Sequence, residues 1–267
     1  MPSTLAVTAV VHLLTATSFL VVAAAIWRRR LPDMRGATAA ILVWWTCLAG
    51  YLYLQAGLHL WASFVGPDLA TFLWSRLLAI PLLCACAGGL TYYILYLITG
   101  KAWLRWPVAI LFLMTAILFH VALFLPMPTA LRTTPWLIEL DIADTSLLMA
   151  VYAMVGLPPI LGSAALLWVA RRMGPPQRYR ATMVGLAILA YVGSGLAAFT
   201  SAGDTAKLLV LNGMGLVAAS LVLLAYYPTR PIRARFGIES APELERQAAL
   251  KRAERRAQFR RRGGELV

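Results

Sequence analysis

Residues 5–30 read LAVTAVVHLLTATSFLVVAAAIWRRR, an apolar run that ends at three consecutive arginines. A helix that crosses the roughly 30 Å hydrocarbon core of a bilayer needs about 20 residues, because each residue rises about 1.5 Å. The run at 5–27 is therefore long enough to span a membrane. It lacks the basic start of a signal peptide and exceeds a typical signal core, so we expect the mature protein to retain it as a first spanning helix.

Similar apolar runs follow along the rest of the chain. Six further stretches are long and apolar, at residues 37–64, 72–98, 103–125, 146–170, 180–201 and 205–227. Hydrophobic residues make up 61% of the 267 residues and charged residues only 13%, which leaves no room for a sizeable soluble domain. Most connections are short, so successive helices should be antiparallel neighbours. The sequence predicts an all-α fold, an integral membrane bundle of seven transmembrane helices within residues 1–228.

Charge alternates between the two ends of these stretches. Basic residues follow the first, third, fifth and seventh stretches, whereas the other connections are acidic. Those acidic residues are Asp68, Glu139, Asp141, Asp144 and Asp204. Because cytoplasmic loops of membrane proteins carry the excess of Lys and Arg, we predict an outer N-terminus and a cytoplasmic C-terminus. This topology and anionic lipid headgroups account for most of the net charge of +13, so nucleic acid is not an expected partner.

Two segments lie outside the predicted helices. In the outer loop at 126–145, residues 136–138 are expected in the headgroup layer, as a short interfacial helix or a hairpin. The basic cytoplasmic tail at 229–267 contains a predicted helix at about 241–262, which has few large apolar residues. We expect the tail to lie on headgroups or to bind an acidic protein surface, and truncation after Gly237 to leave the bundle intact.

Three histidines fall in the outer half of the predicted membrane region, at His12, His59 and His120. Converging imidazoles can hold zinc, copper or a haem edge. No two of these histidines share a stretch at helical spacing, and no Cys or acid accompanies them in a metal-ligand motif. They are secondary candidates, and we predict no obligatory metal site.

Charged residues near the outer helix ends suggest ion pairs. Arg76 follows Asp68 by about two turns, and Lys207 follows Asp204 by three residues. Snorkelling or pairing with an outer carboxylate explains Arg76, and a boundary ion pair explains Lys207. We therefore predict structural roles for these four residues.

A candidate cavity is suggested by helix-distorting and polar residues within the stretches. Pro158 and Pro159 each remove a backbone donor and kink the fifth helix. Ser194 and Asn212 lie among glycines on the sixth and seventh helices, and Gln55 lies on the second. These five residues are candidate cavity lining, although close helix packing and interhelical hydrogen bonds explain them equally well.

Several short motifs resemble the seven-transmembrane sensor region of bacterial histidine kinases. The segments at 73–77 (LWSRL), 96–101 (YLITGK), 177–180 (QRYR) and 225–227 (AYY) are similar to the start and exit of that family's third helix, the start of its sixth and the end of its seventh. The resemblance covers about residues 1–238, and no kinase, PAS or cyclase domain is present up to residue 267. It implies a bacterial inner-membrane, multi-pass sensor or receptor that signals through its cytoplasmic tail to a protein partner.

A second, more distant resemblance is to the microbial rhodopsins. Residues 77–83 (LLAIPLL) are similar to the third opsin helix, and residues 221–224 (LVLL) to the end of the seventh. Opsins carry a Schiff-base lysine about ten residues before that end, whereas residues 208–224 contain no lysine. The resemblance implies a related fold without retinal.

Enzyme motifs are absent from the sequence: there is no HExxH, no P-loop and no paired membrane carboxylates. We therefore favour the sensor or receptor over an enzyme and name no catalytic residue. Two alternatives stay open. One is a non-catalytic accessory or scaffold subunit of a larger membrane complex that binds lipid or pigment; the other is a membrane enzyme, metal or haem protein that uses the outer histidines.

Overall fold

The computed structural model describes residues 2–28, 35–125, 127–133, 138–140, 146–200 and 205–238, and these are mostly helical. The helices are α1 (Pro2–Arg28), α2 (Arg35–Phe64), α3 (Leu69–Thr99), α4 (Arg105–Phe124), α5 (Ser146–Ala170), α6 (Pro175–Thr200), α7 (Thr205–Tyr226) and α8 (Arg230–Phe236), with a 3-10 turn at Ala102–Leu104. Strands β1 (Leu131–Thr133) and β2 (Ile138–Leu140) pair antiparallel between α4 and α5. The helical architecture is confirmed, with this strand pair as an addition.

Five helices within the described ranges are long and apolar enough to cross a membrane. These spans are Thr4–Arg28, Thr38–Phe64, Leu69–Thr99, Ala102–Phe124 and Tyr152–Ala170. Helices α6 and α7 contain 26 and 22 residues, but neither meets both criteria over its described residues. The chain is thus a membrane protein, while the count of seven spans stays a prediction.

The helices pack in chain order. Each of α1 to α6 contacts the next helix, α7 returns to α1, and α3 contacts α5 directly. Two close approaches hold this arrangement. A Cβ atom on Gly89 of α3 would lie 2.8 Å from the carbonyl oxygen of Ala40 on α2, and one on Gly215 of α7 would lie 2.6 Å from Cγ2 of Thr15 on α1. Small residues at these positions let the backbones approach, as is typical of membrane helix pairs.

The strand pair closes one end of the bundle. Ile138 and Leu140 of β2 are buried in a cluster that includes Phe72 on α3 and Phe119 on α4. The pairing agrees with the hairpin alternative, but Ile138 packs into the core instead of lying in the headgroup layer. Residues 136–137 lie outside the described ranges.

Exposed tryptophans mark two levels of the bundle. Among the described residues they lie near helix ends, at Trp27, Trp103, Trp106 and Trp168 on one side and at Trp61 and Trp74 on the other. We call the first side the basic end; its basic residues are Arg28, Arg35, Lys101, Arg105, Arg171, Arg172, Arg178, Arg180, Arg230, Arg233 and Arg235. The guanidinium of Arg172 stacks 4.4 Å from the Trp168 ring centroid, and that of Arg105 lies 5.1 Å from the Trp106 ring. Tryptophan belts of this kind are typical of the two membrane–water interfaces.

Asp68 begins α3 at the opposite end. Its Oδ2 accepts hydrogen bonds from the Thr71 hydroxyl at 2.7 Å and from the Thr71 backbone N–H at 2.8 Å. These bonds hold the pKa of Asp68 below its usual value. The carboxylate therefore acts as the N-cap of α3, where it satisfies one of the unpaired donors of the first turn.

We expect the Asp68 cap to stabilise the bundle at neutral pH and to fail in acid. Because the folded pKa lies below the unfolded value of about 4, the contribution is present above that value and is lost as pH falls through the folded pKa. Melting of the wild type and of Asp68→Ala in detergent should differ at pH 7, and the gap should narrow toward pH 3. Asp68→Ser, which can still cap, serves as the control; a gap independent of pH would contradict the ionised cap.

The chain beyond α7 folds back onto the bundle in α8, which we did not predict. The Phe236 ring lies 4.9 Å from the Tyr179 ring of α6, and Ile238 is buried. The Tyr179 hydroxyl donates to the Leu224 carbonyl of α7 at 3.1 Å. Pro231 in the first turn and Gly237 in the left-handed conformation after the last turn are start and stop signals that the sequence contained. The predicted helix at 241–262 lies outside the described residues.

Because Ile238 is buried, the shortest chain that we expect to keep full stability ends at Ile238 and not at Gly237. A chain that ends at Ile238 should melt like the full chain. Ending at Gly237 removes the buried Ile238 side chain, and ending at Pro228 removes α8 altogether, so both should lower the melting temperature. Full burial of one such side chain contributes about 1.5–3 kcal/mol. Differential scanning fluorimetry of the three truncations checks this; identical melting of all three would show that α8 adds nothing to the fold.

Candidate functional site

Three buried polar side chains meet between α1 and α2 in the half of the bundle opposite the basic end. His12 is 8% exposed, Gln55 6% and His59 0%. The His12 and His59 rings lie edge to face, with centroids 5.5 Å apart. Gln55 and His59 are four residues apart on α2 and therefore share one helix face. This i, i+4 spacing is visible in the sequence, but it joins a histidine to a glutamine and does not show in the spacing of the histidines alone. We call the three residues the polar cluster.

The hydrogen bonding of the polar cluster is incomplete. Nδ1 of His59 lies 2.7 Å from the backbone carbonyl oxygen of Gln55. A carbonyl oxygen only accepts, so Nδ1 carries the proton, and Nε2 of the neutral ring is an acceptor. Both this Nε2 and the Nε2 amide nitrogen of Gln55 are buried without a hydrogen-bond partner. A buried polar group left unsatisfied costs about 1–3 kcal/mol.

These two atoms define what the polar cluster can bind. The Gln55 amide needs an acceptor and the His59 ring needs a donor, and a single hydroxyl group supplies both. Ser75 is buried on α3, and its hydroxyl donates to the Phe72 carbonyl at 2.8 Å. Arg76, the next residue on α3, is close enough for its charge to act on His59. The site thus offers hydrogen bonding beside a positive charge, and the buried Thr8 and Thr15 lie about one turn from His12 on α1.

Two of the other candidate cavity residues, Ser194 and Asn212, lie on α6 and α7. The Ser194 hydroxyl donates to the Tyr191 carbonyl at 2.7 Å, and the Tyr191 ring lies beside Gly215. Gly215 of α7 lies against Thr15 of α1. Asn212 stands three residues before Gly215, and His12 stands three residues before Thr15. Asn212 and His12 therefore occupy the same level of two contacting helices. The Asn212 side chain lies outside the described structure.

The two prolines belong to another part of the bundle. Helix α5 continues through Pro158 and Pro159, and the Ser163 hydroxyl donates to the Pro159 carbonyl at 2.8 Å. The main contacts of α5 are with α3, α4 and α6, whereas Gln55 lies on α2. A common cavity lined by both prolines and Gln55 stays a prediction.

His120 stands apart on α4. Its Nδ1 lies 2.7 Å from the Ala116 carbonyl oxygen and its Nε2 3.4 Å from that of Leu77, and its ring stacks near Phe124. Over the described ranges, no three His, Cys, Asp or Glu side chains come together as a metal-ligand set. The structure thus brings His12 and His59 together, and His120 keeps its own carbonyl contacts.

The predicted ion pairs stay predictions. The Asp68 carboxylate accepts from Thr71, and Arg76 lies half-buried on α3. Asp204 and the Lys207 side chain fall outside what the structure describes, although Lys207 belongs to α7.

No protein-family model matches the chain, and neither a curated protein nor a solved structure matches it. The resemblances to sensor regions and to rhodopsins therefore stay predictions drawn from short motifs.

Proposed function

We propose that this protein is a seven-helix sensor or receptor of a bacterial inner membrane. A small, mostly apolar molecule that carries a hydroxyl group binds at the polar cluster, and the basic tail passes the signal to a protein partner. The observation that carries the proposal is the pair of buried, unpartnered Nε2 atoms of Gln55 and His59.

The membrane setting strengthens this observation. In hydrocarbon no water is at hand to satisfy a polar group, so polar side chains within spans are costly and are candidates for function. Gln55 and His59 lie within the apolar span Thr38–Phe64. A ligand hydroxyl that accepts from Gln55 and donates to His59 removes the penalty of both atoms at once.

The contact between α1 and α7 offers a route from the ligand to the tail. Thr15 lies one turn from His12 on α1, and Gly215 leaves no free space against it, since an added Cβ would lie 2.6 Å from Thr15 Cγ2. A ligand that shifts α1 must therefore shift α7 as well. Helix α7 continues through α8 into the tail, so a movement between packed helices reaches the cytoplasmic side.

The orientation of the protein is part of this proposal. It is supported by the clustering of Lys and Arg at the basic end. In a cysteine-free background, Glu139→Cys should react with an impermeant maleimide added to intact cells. Lys101→Cys, at the basic end, should react only after lysis and serves as the control. Protection of position 139 in intact cells would overturn the topology.

The binding proposal is tested by purifying the full chain natively and identifying small molecules and proteins that accompany it by mass spectrometry. We expect a hydroxyl-bearing molecule of low polarity, retained by the wild type and lost from Gln55→Leu. Ser163→Ala, which removes a buried but satisfied hydroxyl on α5, should retain it. A stoichiometric second protein without any small molecule would favour the accessory-subunit alternative and contradict the receptor.

A further inference from the structure

Positive charge gathers where α8 folds back onto α6, and little negative charge accompanies it. Between residues 171 and 238 the only acidic residue is Asp204. Asp204 directly precedes α7, whose first residue lies at the end opposite the basic end. The basic residues of this stretch at the basic end are Arg171, Arg172, Arg178, Arg180, Arg230, Arg233 and Arg235. The next acidic residue, Glu239, follows directly and lies outside the described residues, so no described carboxylate neutralises these arginines.

Two of these arginines are held with an unused donor inside the protein. The Nε atoms of Arg180 and Arg233 are buried and have no hydrogen-bond partner. Both residues are partly buried, in contrast to the exposed Arg178 and Arg235. A guanidinium group stays charged at any accessible pH, and its planar N–H groups match the oxygens of a phosphate or carboxylate.

The ring contact between Tyr179 of α6 and Phe236 of α8, which we call the junction, has one of these arginines on each side. Arg180 follows Tyr179 on α6, and the Tyr179 ring contacts Phe236 of α8. Arg233 precedes Phe236 by three residues and so shares its face of α8. The charge of Arg180 also reaches the Tyr226 hydroxyl at the end of α7. Arg180 and Arg233 thus flank the contact between α6 and α8, and Arg180 also lies near the end of α7.

We propose that this junction binds the phosphate of an anionic phospholipid, with the Nε–H groups of Arg180 and Arg233 as donors. A lipid is the favoured source of the phosphate because the exposed Trp168 and Trp106 at the same end mark the headgroup level. Basic pockets between membrane helices are known to hold such headgroups. The site is separate from the polar cluster and does not depend on the receptor proposal.

The test uses the full chain in a neutral detergent, titrated with phosphatidylglycerol or with phosphatidylcholine while melting is followed. We expect phosphatidylglycerol alone to raise the melting temperature. In Arg180→Gln/Arg233→Gln its apparent affinity should fall roughly tenfold or more. The matched control, Arg105→Gln/Arg172→Gln, removes the same charge from two arginines that lie over tryptophan rings and should keep the effect. Equal losses in both variants would show diffuse charge attraction and overturn the site.

Two further arms separate the alternatives. Inorganic phosphate at matched phosphate concentration should not raise the melting temperature, and an equal rise would overturn the lipid assignment. Should the glutamine variant fail to fold, Arg180→Lys/Arg233→Lys keeps the charge but lacks the Nε–H groups, and it should still bind several-fold more weakly. Unchanged binding by the lysine variant would overturn the role of the Nε–H donors.

Discussion

Gly89→Ala is expected to cause the largest loss of stability that a single added methyl group can produce at the α2–α3 contact. The new Cβ atom would lie 2.8 Å from the Ala40 carbonyl oxygen and 3.2 Å from the Trp44 nitrogen, both backbone atoms of a packed helix. A side chain can turn away, but here α3 and α2 must separate. Overpacking in a core costs about 1–3 kcal/mol, and we expect about 3 kcal/mol here. Thermal or SDS-induced unfolding of purified protein measures the effect.

Gly57→Ala is the matched control. Gly57 lies on α2, and a Cβ atom there would meet nothing within 4 Å. Alanine favours a helix over glycine by about 1 kcal/mol, so this variant should be as stable as the wild type or slightly more stable. Similar melting of the two variants would mean that α2 and α3 do not approach as closely at Gly89 as described.

His59→Phe combined with Gln55→Leu is expected to raise stability and abolish ligand binding. The double variant removes two buried nitrogen atoms that lack partners and keeps apolar side chains of similar size. Replacing an unsatisfied group by an apolar one should increase the free energy of unfolding by about 1 kcal/mol or more. In the double variant, the backbone carbonyl of residue 55 loses only its contact with the His59 ring. It still accepts the helical hydrogen bond from the backbone N–H of residue 59.

Ser163→Ala is the comparison for this pair. Ser163 is equally buried, but its hydroxyl donates to the Pro159 carbonyl, so its removal should not stabilise the bundle. Melting curves and mass spectrometry of bound molecules, made on the same preparations, separate the two effects. Lower stability of the double variant would show that the protein already satisfies Gln55 and His59, and the receptor proposal would lose its support.

The apolar runs predicted most helices closely, because hydrocarbon demands a minimum length of apolar sequence. The predicted positions of the helix ends were less accurate. Helix α6 begins at Pro175, five residues before the predicted start at 180. The extra turn carries Gln177 and Arg178, which hydropathy excludes from a span but which a helix tolerates at headgroup level. The same reasoning overlooked α8, because a helix of seven residues has too few apolar positions to stand out.

The polar cluster could be predicted only in part. The sequence named Gln55, His12 and His59 as separate candidates, but whether side chains on different helices meet depends on helix rotation and on neighbour order. Each of these helices carries apolar residues on every face, so the sequence shows no hydrophobic stripe from which the rotation of the helix could be predicted. The close approaches at Gly89 and Gly215 set that rotation, and they are visible only once the helices are paired.

Direct packing of α3 against α5 has a consequence for the order of membrane insertion. Helix α4 leaves the ribosome before α5 and contacts both α3 and α5 in the finished bundle. Until α5 arrives, α3 must therefore keep open the surface at Ile94 that Gly162 later covers. Helices enter the bilayer in chain order, so α5 packs against α3 and α4 after these two helices are already in the membrane. An intermediate that contains only the first four helices therefore exposes the surface of α3 at Ile94 until α5 has inserted.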